Sequence, residues 1–276
     1  MPMPTPTTDQ TPPAVTDTVN WIGLYTLARR ETQRFLAIWS QTLLAPLVTA
    51  GMFLTIFTLA IGARRADVAA VPGTDIPFIA FLFPGILVMT VIQNAFANSS
   101  SSIVVCKVQG NIVDTLMPPL SATELVLGYA AGGVLRGMVV AAAICLVAMP
   151  VLGLSVAHPA WALVFVLLGS AFMSGLGIVA GIYANKFDQI AAITNFIVMP
   201  LSFLSGAFYS IQVLPPVLQT LSRANPVFYL IDGARYGFIG QSDASPWTGL
   251  AVCVASVLVV FGLSWAMFRS GYRLKA

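Results

Sequence analysis

The sequence predicts an all-α membrane protein. It has six transmembrane helices, an interfacial helix before the first, a structured cytosolic loop between the second and third, and an outer re-entrant helical hairpin between the fifth and sixth. Three observations lead there. Only 13 Lys and Arg and 10 Asp and Glu occur in 276 residues, or 8% charged, where a soluble domain carries about 25%. Hydrophobic residues make up 58%, with a mean hydropathy of +0.88. The charge-free stretches are long enough to cross a bilayer. So few charges cannot clothe a water-soluble globule, which excludes a soluble enzyme, a nucleic-acid binder and a disordered chain. The net charge of +3 is too small to imply a polyanionic partner.

The charge-free stretches run over residues 35–63, 76–106, 137–185, 189–222 and 244–268. A helix needs about 20 apolar residues to cross the hydrocarbon core. The third stretch holds two spans, broken at residues 150–159 by Pro150, Gly153 and Pro159. The predicted spans are 41–63, 78–99, 127–150, 159–182, 189–209 and 246–268. Transmembrane strands would alternate over about ten residues instead of running continuously apolar. With the N-terminus inside, the cytosolic segments hold Arg29, Arg30, Arg34, Lys107, Lys186, Arg269, Arg273 and Lys275. The outer segments hold Arg64, Arg65, Arg223 and Arg235. The positive-inside rule places both termini in the cytosol. Residues 1–18 are Pro/Thr-rich without Lys or Arg, which predicts a disordered cytosolic tail rather than a signal peptide. Residues 19–276 form one transmembrane domain.

Before the first span, residues 21–39 have helical periodicity. Trp21, Leu24, Tyr25, Ala28, Phe35, Leu36 and Trp39 share one face, and Arg29, Arg30, Gln33 and Arg34 the other. Such a helix lies in the membrane interface, its arginines facing anionic headgroups. The alternative is a cytosolic extension of the first span.

Between the second and third spans, apolar Ile103, Val104, Ile112, Val113, Leu116 and Met117 alternate with Lys107, Gln109, Asn111 and Asp114. This predicts a short amphipathic helix within 103–119, ended by Pro118 and Pro119. Ser121 and Glu124 then form a capping box that starts the next helix. Such an elbow reads either as a plain connection or as a docking surface for another protein.

Within the spans, Gln93, Asn94 and Asn98 on the second and Asn195 on the fifth need partners, either across helices or along a translocation path. Arg136 follows Glu124 by 12 residues, about 18 Å along a helix, which puts it within the bilayer. It either snorkels to a structural partner or lines a cytosolic entrance with Arg30 and Arg34. The pairs Gly128/Gly132, Gly133/Gly137 and Gly177/Gly181 permit close helix packing. Asp188 is expected to cap the fifth span. In the outer connection, residues 215–224 make a short helix. Residues 227–240 are apolar but too short to span, which predicts a re-entrant hairpin over 211–244. Asp232 and Arg235 are spaced to pair on one helix face, as a structural ion pair or as part of an outer gate.

Cys106, Cys145 and Cys253 are scattered and His158 is the sole histidine, so no disulfide framework, metal site or Ser-His-Asp triad is expected. No Lys follows a Gly, so a phosphate-binding G-x-x-x-x-G-K loop is absent and ATP hydrolysis is not expected of this chain.

The elbow residues Lys107, Gly110, Ile112, Leu116, Pro119-Leu120-Ser121, Glu124-Leu125 and Gly128 resemble the coupling-helix region of ABC type-2 permeases, the membrane subunits of bacterial ABC exporters. Ser205-Gly206-Ala207-Phe208-Tyr209, Asn225-Pro226, Tyr229 and Arg235-Tyr236-Gly237-Phe238 resemble that family's outer connection. The resemblance covers residues 20–270. It implies an inner-membrane dimer of permeases, with a second copy of this chain or a related one, served by two cytosolic ATPase subunits that hold ATP and Mg. It implies coupling through Lys107, Gly110, Ile112, Asp114, Leu116 and Glu124. It also implies an outer gate at Tyr209, Asn225, Pro226, Tyr229, Asp232 and Arg235. Membrane lipid is the other partner; nucleic acid is not. The alternative is a gradient-driven carrier of hydrophobic or amphipathic solutes. The placement of every Asp and Glu outside the six predicted spans weighs against it.

Overall fold

The structure, a computed structural model, describes residues 19–59 and 76–274. The expected tail 1–18, the end of the first span, Arg64, Arg65 and Lys275 lie outside the described residues. Among the described residues there is helix and no strand. In chain order the helices are α1 (Trp21–Ala37), α2 (Ala45–Phe57), α3 (Phe78–Val108), α4 (Ile112–Leu116), α5 (Ala122–Leu152), α6 (Pro159–Tyr183), α7 (Phe187–Ile193), α8 (Met199–Leu204), α9 (Pro216–Ala224), α10 (Pro226–Ile239) and α11 (Pro246–Ser270). Six helical stretches are long and apolar enough to cross a membrane: Ser40–Phe57, α3, α5, α6, Phe187–Leu204 and α11.

The first and fifth spans each contain a wide, π-helical turn, at Ser40–Leu44 and Thr194–Val198. Prolines explain both. Pro46 and Pro200 lack the N–H that would bond the carbonyls of Thr42 and Phe196, and their rings crowd those carbonyls; widening the turn relieves the clash. The fifth span ends at Leu204, earlier than predicted, because the chain turns at Gly206 with φ +72°.

α3 and α6 form the centre, with Phe83, Val88, Ile92, Phe165 and Met173 almost wholly buried. Small residues set the spacing. A Cβ on Gly177 would stand 2.6 Å from the Phe96 carbonyl oxygen, and one on Gly133 2.3 Å from Ser174 Oγ. α5 carries α1 in the same way: a Cβ on Gly128 would meet Leu27 at 2.5 Å, and one on Gly132 would meet Glu31 Cβ at 2.5 Å. The glycine pairs read from the sequence are thus the seams on which the bundle closes.

Three expectations change. The amphipathic helix predicted within 103–119 divides. Residues through Val108 belong to α3, with Ile103 and Val104 buried, and only Ile112–Leu116 form the short helix. The serine run 99–102 does not end α3 because its hydroxyls are absorbed by helices: Ser100 Oγ donates to the Phe96 carbonyl at 2.8 Å, and Ser99 Oγ meets Ser174 Oγ at 2.6 Å. α3 stops instead at Gly110, whose φ of +76° suits only a residue without Cβ strain. The two faces expected of residues 21–39 are not kept. Trp21, Tyr25, Leu36 and Trp39 are exposed, but Phe35 is buried. Arg30 and Arg34, expected to face headgroups, turn to Thr115, Tyr129 and Asn98 because α1 packs on the bundle through that side. Asp188 is not the cap of α7. Lys186 occupies that position without a side-chain bond, and Gln189 Oε1 accepts from the Asn185 amide at 2.7 Å. Asp188 lies in the first turn, where a carboxylate still suits the helix dipole.

Candidate functional site

At one end of the bundle the elbow is built from three helix ends. The capping box forms as read: Ser121 Oγ accepts from the Glu124 amide at 3.3 Å, while Glu124 Oε2 accepts from the Ser121 amide at 2.6 Å and its hydroxyl at 2.9 Å. The other carboxylate oxygen accepts from the Asn20 amide at 2.5 Å, and Asn20 Oδ1 in turn caps α1 at the Gly23 amide. Glu124 therefore fastens α1 to the elbow. Lys107 is directed to the end of α6, where Nζ donates to the carbonyls of Ile182 and Ala184, both at 2.7 Å. Arg273 joins it there, donating to the Tyr183 carbonyl at 2.8 Å. Cations at a helix C-terminus satisfy orphan carbonyls and oppose the dipole. Gly110 and Asp114 are exposed, Leu116 is half-buried, and Ile112 is buried and anchors α4. The outer side of the elbow shows Val108, Val113 and Met117, all exposed.

Beside the elbow, the three entrance arginines and two of the predicted path residues belong to one polar seam among α1, α3 and α5. Arg34 donates to the Asn98 carbonyl at 2.7 Å, to Asn98 Oδ1 at 3.2 Å and to Ser101 Oγ at 3.2 Å. Arg136 donates to Asn94 Oδ1 at 3.0 Å. Arg30 reaches Thr115 Oγ1 on α4 at 3.2 Å, Glu31 Oε1 at 3.1 Å and the Tyr129 hydroxyl at 3.4 Å. Burial pulls the Arg30 pKa down, but the neighbouring Tyr129 and Glu31 outweigh it, so the net shift is upward and the group keeps its charge.

The sequence reading missed Glu31, which is wholly buried. Its Oε2 lies 3.3 Å from Arg34 Nη2, an ion pair without hydrogen-bond geometry. Its signal was present: Leu27, Glu31 and Phe35 recur every four residues, and all three face the bundle. A groove of about 550 Å³ opens here, lined by Arg30, Glu31, Gln33 and Arg34 of α1, by Ser102, Val105, Cys106 and Gln109 at the end of α3, and by Asn111, Asp114 and Thr115 at α4.

α3 carries a further pattern. Between Ala80 and Val104 every residue is buried except Thr90, Gln93, Asn94, Ala97 and Ser101. At 100° per residue these five share one face. The accessible strip of an otherwise enclosed helix is thus polar or small. Asn98 lies behind it, fully buried and holding Arg34. Asn195 is elsewhere, exposed on the fifth span.

At the opposite end, α9 and α10 form the hairpin, and α10 is packed among α3, α6 and α11. Asn225 caps α10, its Oδ1 accepting from the Val227 amide at 3.0 Å while Nδ2 donates to the Leu201 carbonyl at 2.7 Å; Pro226 starts the helix. Asp232 accepts from the amides of Asp243 and Ala244 at 2.8 and 2.9 Å and lies 3.8 Å from Arg235. Arg235 donates to the Gly206 carbonyl at 2.7 Å and stacks on Phe81 at 3.9 Å. Asp243, absent from the sequence reading, gathers Ser210, Ile211 and Gln212. Tyr229 is half-buried against Phe228, and the Tyr209 hydroxyl donates to the Phe203 carbonyl at 3.0 Å.

Six apolar spans, a polar accessible strip on the otherwise buried α3 and shaped helical devices at both ends define a multi-pass membrane transport protein. The particular family follows from comparison. The model of the ABC-2 type transporter family matches residues 23–239. The chain is similar to "Inner membrane transport permease YadH" of Escherichia coli K12, 33% identical over 256 residues, covering 93% of this chain and 98% of that one. It is also similar to "Nodulation protein J" of Sinorhizobium fredii, 25% identical over 247 residues, covering 88% and 90%. The chain belongs to the ABC-2 type transporter family, as its membrane-spanning transport subunit.

Proposed function

We propose that this chain is the permease of an ATP-driven exporter in a bacterial inner membrane, with both termini and the elbow in the cytosol. Two copies form the path, and the strip on α3 lines it. Cytosolic ATPase subunits, two per complex, hold ATP and Mg and drive the chain through α4. Arg30, Arg34 and Arg136 flank the entrance, and α9–α10 closes the outer end.

The strip carries this reading. A helix buried on all other sides whose accessible face is Thr90, Gln93, Asn94, Ala97 and Ser101 is poorly suited to lipid. Thr90, Asn94 and Ser101 are bonded within the protein, but the face is polar or small throughout and Gln93 Nε2 has no acceptor. Facing a path shared with a second copy, the same groups meet water or cargo. Asn195, exposed on the fifth span, supports a second copy for the same reason. The exposed Val108, Val113 and Met117 beside Gln109, Asn111 and Asp114 suit a protein cleft.

Single cysteines test the path without knowledge of the cargo. In a chain with Cys106, Cys145 and Cys253 replaced, Ala97→Cys in membranes is expected to react with a charged, membrane-impermeant thiol reagent. Leu146→Cys, at 78% exposure on the outside of α5, stays unlabelled. Equal, slow labelling of both removes the path. Co-purification with an ABC ATPase tests the elbow: Val113→Asp with Met117→Asp is expected to release it. An intact complex with normal coupled ATPase activity would refute the docking role.

A further inference from the structure

Resting on the reading of the strip as a path, we infer that Arg136 and Arg34 form a recognition site for a phosphate- or carboxylate-bearing group that travels along it. Asn94 and Asn98 stand one turn apart on α3 and each receives one of these guanidinium groups. One turn separates neighbours by about 5–6 Å, so the two cations share a small region, and they repel one another. Among the described residues Arg136 has no carboxylate within ion-pairing distance. Arg30 and Arg34 share the carboxylate of Glu31 and Arg136 is bonded only to Asn94, so even with Asp114 of the adjoining groove counted, three guanidinium groups meet two carboxylates.

The unmet hydrogen bonds have the same sign. Arg34 Nε, Arg136 Nε, Gln93 Nε2 and the Nδ2 of wholly buried Asn98 are enclosed donors without an acceptor. Glu31 Oε2 is the lone unmet acceptor there, and it already faces Arg34. A buried donor left unpaired costs about 1–3 kcal/mol, and an unneutralised cation at membrane depth costs more. A neutral protein or lipid surface does not correct this surplus. A ligand that brings several acceptor oxygens and negative charge does, and paired guanidinium groups match phosphate and carboxylate geometry. The groove of about 550 Å³ adjoining Arg34 gives such a group a route to the seam from the elbow end. Either a lipid-like cargo with an anionic head or a free anion supplies this chemistry.

The test uses the full chain in a neutral detergent and three probes: dihexanoyl phosphatidic acid, dihexanoylglycerol with the same tails and no charge, and inorganic phosphate. Phosphatidic acid is expected to saturate and to bind roughly tenfold or more tightly than dihexanoylglycerol. Arg136→Gln or Arg34→Gln abolishes the preference, and Arg136→Lys retains part of it. Competition by inorganic phosphate with the same arginine dependence assigns the site to free anions. Its failure to compete assigns the site to an anionic head on an apolar tail. Equal affinity for the two lipids, or a preference that survives Arg136→Gln, overturns the inference. Should the glutamine variants not fold, the wild-type preference must still weaken with added salt; indifference to salt overturns the inference too. Labelling of Ala97→Cys separates the two readings. Anion binding with an unlabelled strip refutes the path alone, and a labelled strip without anion preference refutes this site alone.

Discussion

The carboxylate of Glu124 accepts the backbone N–H of Asn20, 104 residues earlier, at 2.5 Å, while its other oxygen closes the capping box with Ser121. One side chain therefore starts α5 and holds the start of α1. The start of α1 is thereby bonded to the elbow, and further along α1 Glu31 and Arg34 lie in the polar seam. Glu124→Ala removes the reciprocal cap and the tether together. Loss of a cap alone costs about 1 kcal/mol, and each hydrogen bond to a charged group adds about 1.5–3 kcal/mol. The expected outcome is a lower Tm in detergent, with faster proteolysis or deuterium exchange over residues 20–30 than over α6.

Gly132 makes the seat of α1 testable at one atom. A Cβ there would stand 2.5 Å from Glu31 Cβ and 3.1 Å from Asn98 Nδ2. Gly132→Val must push α1 off α5 or break the Glu31–Arg34 contact, and overpacking of this kind costs about 1–3 kcal/mol. Gly262→Val on α11 meets nothing within 4 Å and serves as the control. The Gly132 variant is expected to lower Tm by several degrees, with the Gly262 variant close to wild type. Equal effects would mean that α1 does not rest where the structure places it.

These two cases show what the sequence makes legible and what it leaves out. The spans, the cap at Ser121–Glu124, the glycine seams and the Asp232–Arg235 pair are local signals, each readable within a few residues of chain. The full length of α3, beyond the predicted end at 99, is not a local signal, because only α6 supplies the partner that absorbs Ser99. The polar seam was seen in pieces, as an entrance and a path. What joins them is the approach of α1 to α3 across Asn98 and the fitting of Glu31 over Gly132, contacts between residues about 65 to 100 positions apart. Glu31 escaped notice because its arginine neighbours suggested a solvated face, whereas its fourfold spacing with Leu27 and Phe35 pointed inward.

Gly110 tests the elbow through backbone strain instead of contact. Its φ is +76°, and a Cβ there meets nothing within 4 Å. Gly110→Ala therefore costs about 1–2 kcal/mol from the left-handed conformation alone, and it tilts α4 relative to α3. Tm is expected to fall by only a few degrees, since Gly110 itself is exposed and its added Cβ displaces no neighbour. Coupled ATPase activity or transport is expected to fall severalfold. A variant with unchanged coupling would show that the fixed angle between α3 and α4 is not needed.

The last prediction concerns the far end, where Asp232 and Arg235 are both almost fully buried. Asp232 is committed to the amides of Asp243 and Ala244 as well as to the guanidinium, so it ties the loop before α11 to α10. Arg235 has the Gly206 carbonyl and the Phe81 ring besides. Removing one partner leaves an uncompensated buried charge, which costs about 3–5 kcal/mol. Asp232→Leu is expected to be the more damaging single change, because it strands the Arg235 charge and two amide donors at once. In Arg235→Leu the carboxylate keeps both amide bonds. The double variant Asp232→Leu/Arg235→Leu removes the stranded charge and is expected to be more stable than Asp232→Leu alone, a non-additivity visible as a partial recovery of Tm. Strictly additive losses would mean that the two side chains act independently, with Asp232 serving the loop and Arg235 serving Gly206.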